Sequence, residues 1–212
     1  MPDLKVCIAS SREEEIGRRC REWAAQNLPQ GFALTSDPDE SDVFISVLYG
    51  KLVSEEFINR PGRRCYNFHP GILPQYRGAG AFSWCILNGD RVWGVTLHEL
   101  DVDIDTGPII GMLTGRIESS DSAETLFRKG MDAIYQMFTD NFGLLLSGRY
   151  HAVPQEDAAG RFPAAGSIPR TYYRKALREA ADLTRYARAF HFEGEEQAFW
   201  RDRNGVKHYL TW

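Results

Sequence analysis

An amide, an imidazole and a carboxylate are the groups in this chain best placed to do chemistry. Asn67 and His69 stand in Asn67-Phe68-His69-Pro70, and Asp105 opens Asp105-Thr106-Gly107-Pro108, 38 residues beyond Asn67. In an extended segment residues two apart point to the same side, so Asn67 and His69 face one pocket while Phe68 anchors the strand end on the other. Pro70 disfavours helical geometry at His69 and fixes the exit of the chain. A carboxylate brought up to the imidazole orients the ring and favours its charged form. Gathered round one carbonyl, the three could offer donors to a developing oxyanion and take a proton from an attacking amine. An isolated Asn-x-His reads as a loop cap beside a hydrogen-bonded structural histidine. The downstream Asp105 and the intervening Leu73-Pro74-Gln75-Tyr76-Arg77-Gly78 set that reading aside. Asp101, Asp103 and Asp105 alternate like the opening of a calcium loop, but Thr106 and Met112 stand where such a loop needs Gly and Glu. No metal is expected.

The elements that must position these groups follow from periodicity. Residues 4–9 read as a short buried strand. Residues 12–27 read as a helix, with Ile16, Cys20, Trp23 and Ala24 at helical spacing. Residues 32–35, 43–48 and 64–68 read as further strands, with a short helix near 54–59. This β-α-β rhythm predicts an α/β fold with a mostly parallel, Rossmann-like sheet, whose ligand crevice lies beyond the carboxyl ends of the strands. Residues 81–88 read as a helix closed by Asn88-Gly89. Residues 92–99 and 108–117 read as strands flanking the 101–107 loop, and 121–147 as the longest helix. Residues 154–170, rich in Pro, Ala, Gly and Ser, predict a surface loop. A small C-terminal helix over 176–189 and a β-hairpin follow, the arms 197–202 and 206–211 joined at Arg203-Asn204-Gly205. The hairpin's Phe199, Trp200, Tyr209 and Trp212 are expected to pack on the main body or on a second copy of the chain. The predicted organisation is a catalytic domain over 1–150 and an extension over 151–212 packed on it.

Composition bounds the function. With 212 residues, 25% charged and 43% hydrophobic, the chain can bury a full core. A net charge of −4 is a poor background for gripping a phosphate backbone, so no nucleic acid is expected. No apolar stretch reaches the length of a membrane span or a signal-peptide core, and no membrane partner is expected. Cys7, Cys20, Cys65 and Cys85 show no CxxC spacing and read as buried thiols in a reducing compartment, the cytoplasm.

Residues 43–115, through the Asn67–Pro70, Leu73–Gly78 and Asp105–Pro108 segments, resemble the active-site region of the formyltransferases that use 10-formyltetrahydrofolate. The resemblance implies a formyltransferase fold, with 10-formyltetrahydrofolate as formyl-donor cosubstrate, no metal, and Asn67, His69 and Asp105 as the catalytic groups. Read alone, 46–53 is a strand end with a turn. The resemblance makes it one wall of a pterin pocket through Tyr49, Gly50, Lys51, Leu52 and Val53, with Asp101, Val102 and Ile104 opposite. Arg77 either pairs with an acidic group on the acceptor or braces its own loop. Tyr172 either closes over the acceptor or packs on the surface. His98, His151, His191 and His208 read as structural or exposed.

Departures from the family pattern narrow the acceptor. The chain is unlike the glycinamide ribonucleotide enzymes in lacking a Gly-rich phosphate loop after its first strand, where Ser10-Ser11-Arg12-Glu13 stands instead. The methionyl-tRNA enzymes carry a sizeable C-terminal β-domain, for which 212 residues leave little room, and with the net acidic charge initiator tRNA is not the expected acceptor. A compact body with a C-terminal helix and hairpin resembles the sugar N-formyltransferases, which implies a nucleotide-linked amino sugar as acceptor. The aromatic load of the C-terminal region is the reason to expect a homodimer through it. An amino-acid or peptide amine in secondary metabolism is the alternative acceptor, and a non-catalytic folate- or partner-binding protein the alternative class. Gly71, where the family often has Ser, and Ala81, where Pro is frequent, are further departures.

Overall fold

The computed structural model describes residues 3–11, 13–155, 171–172, 180–201 and 205–210. Strand β1 (Leu4–Ala9) leads through a π-helical turn (Glu13–Gly17) into helix α1 (Arg18–Asn27) and strand β2 (Phe32–Leu34). Strand β3 (Val43–Val47), the one-turn helix α2 (Glu55–Ile58), strand β4 (Arg64–His69) and helix α3 (Ala81–Asn88) follow. Strands β5 (Val92–Glu99) and β6 (Ile109–Arg116) precede the long helix α4 (Ala123–Ser147). Beyond it lie β7 (Thr171–Tyr172), α5 (Ala180–Ala189), β8 (Phe199–Arg201) and β9 (Lys207–Tyr209). The loop expected over 154–170 and the turn at 203–205 fall largely outside the described residues.

One expected helix begins differently. Glu15 leaves helical backbone space (φ −113°, ψ −110°), and the α-helix proper starts only after Gly17, with no side chain capping it. Helix α4 has the opposite character. Ser122 and Thr125 form a reciprocal capping box at its start, and Gly148, in the left-handed conformation, closes its end.

The main sheet has six strands in the order β2-β1-β3-β4-β5-β6. The first three pairings are parallel and the last two antiparallel, so the sheet is mostly parallel with a reversed edge. The β5–β6 pairing is antiparallel because the loop between those two strands is too short for a crossover. The chain steps from β2 across β1 to β3, which makes the carboxyl ends of β1 and β3 a switch point where ligands enter such sheets.

Alternation along the strands divides the sheet into two unlike faces. Val6, Ile8, Val43, Ile45, Tyr66, Phe68, Val95 and Leu97 belong to the main core, packed with the α4 residues Ile134, Phe138 and Phe142. Trp23 of α1 meets Phe138 and Phe142 edge-on there. The other face carries a smaller cluster of Cys7, Ala9, Phe44 and Cys65, flanked by Tyr49, Val53, Phe57 and Leu100. By the same alternation Asn67, His69, Thr96 and His98 lie on that thinner side. A second, three-stranded sheet runs β7-β8-β9, with β8 and β9 antiparallel as the hairpin reading expects. Helix α5 lies near α3, where Arg185 Nη1 donates to Leu87 O (3.4 Å), and Arg188 donates to the carbonyls of Asp121 and Glu118.

All four cysteines are buried and none is in a disulfide; burial raises Cys20 and Cys85 to about 12 and Cys65 to about 11, leaving them protonated. Among the described residues no helix is long and apolar enough to cross a membrane.

Helix α4 passes Phe82 so closely at Gly130 that a Cβ there would overlap the ring. Gly130→Ala is therefore predicted to lower the melting temperature, because overpacking of about 1–3 kcal/mol outweighs a helix-propensity gain of about 1 kcal/mol. Adding Phe82→Leu should return part of the loss, and thermal unfolding of the single and double variants measures both effects.

Candidate active site

Strand β4 delivers Asn67 and His69 at its carboxyl end, and the β5–β6 loop delivers Asp105 against them. Asp105 Oδ2 lies 3.2 Å from His69 Nδ1, and Asp105 Oδ1 accepts from Asn67 Nδ2 at 3.2 Å. The Gly78 amide donates to Oδ2 at 2.9 Å. Asn67 is itself oriented, since its Oδ1 accepts from Ser46 Oγ at 2.6 Å. The amide nitrogen therefore faces the carboxylate. Asp105 takes a left-handed backbone conformation (φ +55°), uncommon outside glycine though aspartate tolerates it better than most residues.

A fourth group belongs to this cluster that the sequence places among the structural histidines. His98 is fully buried, its Nε2 3.1 Å from Asn67 Nδ2 and 3.4 Å from Asp105 Oδ1. It is the register partner of Asn67 across the antiparallel β4–β5 pair. The sequence does hold a signal for it. In β5, Val95 and Leu97 are core residues, so Thr96 and His98 must face the same side as Asn67 once β5 is placed next to β4. That placement is what sequence alone does not supply.

Hydrogen-bond partners fix the ring protons. His98 Nδ1 sits 2.7 Å from Glu99 O and so carries a hydrogen, leaving Nε2 to meet Asn67 and Asp105. His69 Nε2 sits 2.7 Å from Tyr76 O and donates to it. Its Nδ1 then faces Asp105 Oδ2 with room for one proton between two acceptors. Burial pushes the His69 pKa below the ordinary imidazole value, and the Asp105 charge opposes this only in part. Burial alone would raise the Asp105 carboxyl, but the His98 and His69 rings and the Gly78 amide together hold it at about 2. At neutral pH the pair thus stands as a carboxylate and a neutral imidazole, ready to accept one proton.

Asn67, His69 and Asp105 line a cavity of about 400 Å³, together with Tyr49, Lys51, Leu52 and Val53 and with Asp101, Val102 and Ile104. Leu52 is 86% exposed and Val102 and Ile104 are each 53% exposed, an apolar rim with nothing packed on it. Gly50 does not line the cavity; its amide donates to Ser11 Oγ, which ties the turn to the end of β1. Among the described residues Leu48 is the other non-glycine residue with positive φ (+52°); it follows β3 and lines the cavity. Arg77 is not among the cavity's lining residues, and its guanidinium donates to Gln155 Oε1. Tyr172 is described only as backbone, in β7, and its side chain lies outside the described residues. Among the described residues no group of three or more His, Cys, Asp or Glu is arranged to hold a metal ion.

Two glycines are steric requirements. A Cβ on Gly107 would overlap the Glu99 carbonyl, and one on Gly71 would stand 2.7 Å from His69 Nε2 and 2.8 Å from Ala81 Cβ. Gly71 and Ala81, both unusual for the sequence pattern, thus meet in space beside the His69 ring.

Because His69 is lowered, its stabilising contribution is complete above about pH 6.5 and is lost as pH falls through its folded-state value. Asp105 follows the same sign further down, complete above about pH 4 and lost toward about 2. The margin in melting temperature of wild type over His69→Asn should therefore shrink on acidification from pH 7 to 5. A margin constant over that range would contradict the buried neutral ring.

Comparison with known proteins places the chain in a family. The model of the formyl transferase family matches residues 11–141. A methionyl-tRNA formyltransferase of Synechococcus elongatus is 32% identical over 180 residues, covering 76% of this chain and 55% of that protein. The chain thus spans about half the length of the curated relatives it matches. A sugar N-formyltransferase of a Shewanella species superposes with a TM-score of 0.85 at 16% identity, covering 98% of this chain and 96% of the other. An N-formyltransferase of Helicobacter canadensis, solved with folinic acid and dTDP-3-aminofucose, superposes with a TM-score of 0.75 at 19% identity, covering 91% and 82%. With the family's matched region holding Asn67, His69 and Asp105 at one cavity, this chain belongs to the formyl transferase family.

Proposed function

We propose that the protein transfers a formyl group from 10-formyltetrahydrofolate to the amine of a nucleotide-linked amino sugar. The observation that carries the reading is the convergence of Asn67, His69 and Asp105 on an apolar-rimmed cavity. The cavity's volume and its unpacked Leu52, Val102 and Ile104 suit a flat heteroaromatic ring flanked by backbone polar groups. The donor supplies an activated formyl carbon; the chain's own residues do the rest.

Asn67 Nδ2 is placed to exchange its 3.2 Å contact with Asp105 for the formyl oxygen as negative charge grows there, a donor role worth about 3 kcal/mol of barrier. As the C–N bond forms, the His69–Asp105 pair accepts the proton released by the attacking amine into the gap between Nδ1 and Oδ2. The resulting imidazolium adds a positive charge beside the oxyanion. When the tetrahedral carbon expels the folate nitrogen, the same pair returns the proton to that leaving group, so protons balance over the cycle. Gly78 and His98 keep the carboxylate anionic throughout.

The amino-sugar acceptor is supported by the near end-to-end superposition on the Shewanella sugar enzyme and by the nucleotide amino sugar in the Helicobacter complex. The 32% identity to a methionyl-tRNA enzyme favours a second reading, an aminoacyl or peptide amine. The proposal includes residues 1–150 as the catalytic domain, 151–212 as an extension that builds a homodimer, and a cytoplasmic address. The test is turnover of 10-formyltetrahydrofolate against dTDP- and GDP-linked amino sugars, free amino acids and methionyl-tRNA. Formylation of a nucleotide amino sugar is expected. Formylation of methionyl-tRNA or an amino acid alone would replace it with the second reading, and tetrahydrofolate binding without turnover on any amine would mark a binding protein.

Asp105→Asn should keep the fold and tetrahydrofolate affinity while kcat falls by about 100-fold or more. Because the active form has neutral His69, the acid limb of kcat/KM should lie below about pH 6.5. A limb at or above that value, or a near-normal rate in Asp105→Asn, would remove the pair from proton handling.

A further inference from the structure

The left-handed backbone of Asp105 needs a restraint that its carboxylate contacts do not provide. Those contacts hold the oxygens; the carbonyls of the loop are held by Gln155. Gln155 Nε2 donates to Asp105 O at 2.9 Å and to Gly107 O at 2.7 Å. Its Oε1 accepts from Arg77 Nε at 3.0 Å and Nη2 at 2.9 Å. Arg77 has only hydrogens to offer, so it dictates which end of the Gln155 amide is oxygen and turns the nitrogen onto the carbonyls. The contacts close into a ring. The Gly78 amide, one peptide beyond Arg77, donates to Asp105 Oδ2, and Arg77 reaches Asp105 O through Gln155.

The segment that brings Gln155 is itself registered on the sheet. Val153 and Ile109 exchange two backbone hydrogen bonds of 2.8 Å at the outer edge of β6, two residues before Gln155 and two after Gly107. The 105–107 loop and the segment carrying Gln155 therefore both leave from Ile109 of β6, and Arg77 and Gly78 join them from the segment after β4.

We infer that Gln155 is a positioning residue for Asp105, fixing the 105–107 backbone so that the carboxylate points at His69 and Asn67. The inference rests on the formyl-transfer reading for its kinetic consequence and on the geometry for its structural one. Gln155→Met keeps size and loses all four hydrogen bonds. Gln155→Glu keeps the Arg77 pair and replaces the amide donor with a carboxylate oxygen that the two carbonyls repel.

The experiment measures kcat and donor KM, with amide hydrogen exchange of the 101–107 peptide, in the full-length wild type and both variants. The expected result is a kcat loss of about 100-fold in each, from a displaced reacting group, with donor KM near wild type. Exchange should accelerate in 101–107 and stay unchanged in the β3 and β4 peptides. A wild-type kcat in either variant would overturn the inference, as would unchanged protection of 101–107. Should wild type formylate no amine at all, the proposed function fails, and the exchange comparison alone still decides whether Gln155 holds the loop.

Discussion

Burying a carboxylate is costly unless its lone pairs are met, and Asp105 is only 11% exposed in a left-handed backbone conformation that adds a further cost of about 1–3 kcal/mol. Both costs are offset by groups from separate parts of the chain: the Gly78 amide, the Asn67 amide and, at the backbone, Gln155. Remove that convergence and the 101–107 loop has no reason to turn its carboxylate inward. Asn67 and His69 would remain on their strand without the carboxylate. The loop cannot drift the other way, because Gly107 already lies against the Glu99 carbonyl with no space for a side chain.

The sheet makes that convergence possible by reversing direction. With β5 antiparallel to β4, the short loop from β5 to β6 carries Asp105 back to Asn67 and His69, and the β4–β5 register sets His98 directly opposite Asn67 and Thr96 opposite His69. Thr96 Oγ1 then donates to Gly71 O and accepts from the Leu73 amide, which pins the segment leaving His69. Helices α1 and α4 take the opposite face, where Trp23, Phe68, Phe138 and Phe142 interlock. One face supplies stability and the other is left thin enough for a ligand.

What could be seen in the sequence was local. The 92–99 strand and the 81–88 helix are bounded by their own residues, an alternating apolar run and an Asn-Gly stop, and the structure places both at the expected residues. Asn67 and His69 share a face because strand geometry alone requires it. The rest depended on pairing. His98 joins the site only through register with β4, and Gln155 only through the Val153–Ile109 bridge. The positive φ of Asp105 has no residue signature, since aspartate tolerates that region without announcing it. Glu13–Gly17 carries helical spacing yet opens into a π turn, with no cap to enforce a regular start. The tie from the Gly50 amide to Ser11 Oγ likewise depends on β1 and β3 lying side by side.

A crystal structure with a non-transferring 5-formyl folate tests the central claim most directly, that two separate segments aim three groups at one reacting carbon. The account predicts the pterin between the 48–53 and 101–105 walls, N5 and N10 turned toward Asn67 Nδ2 and His69 Nδ1, and Asp105 still at positive φ. Ligand density away from that cavity, or an Asp105 carboxylate swung out to solvent with the ligand bound, would contradict it.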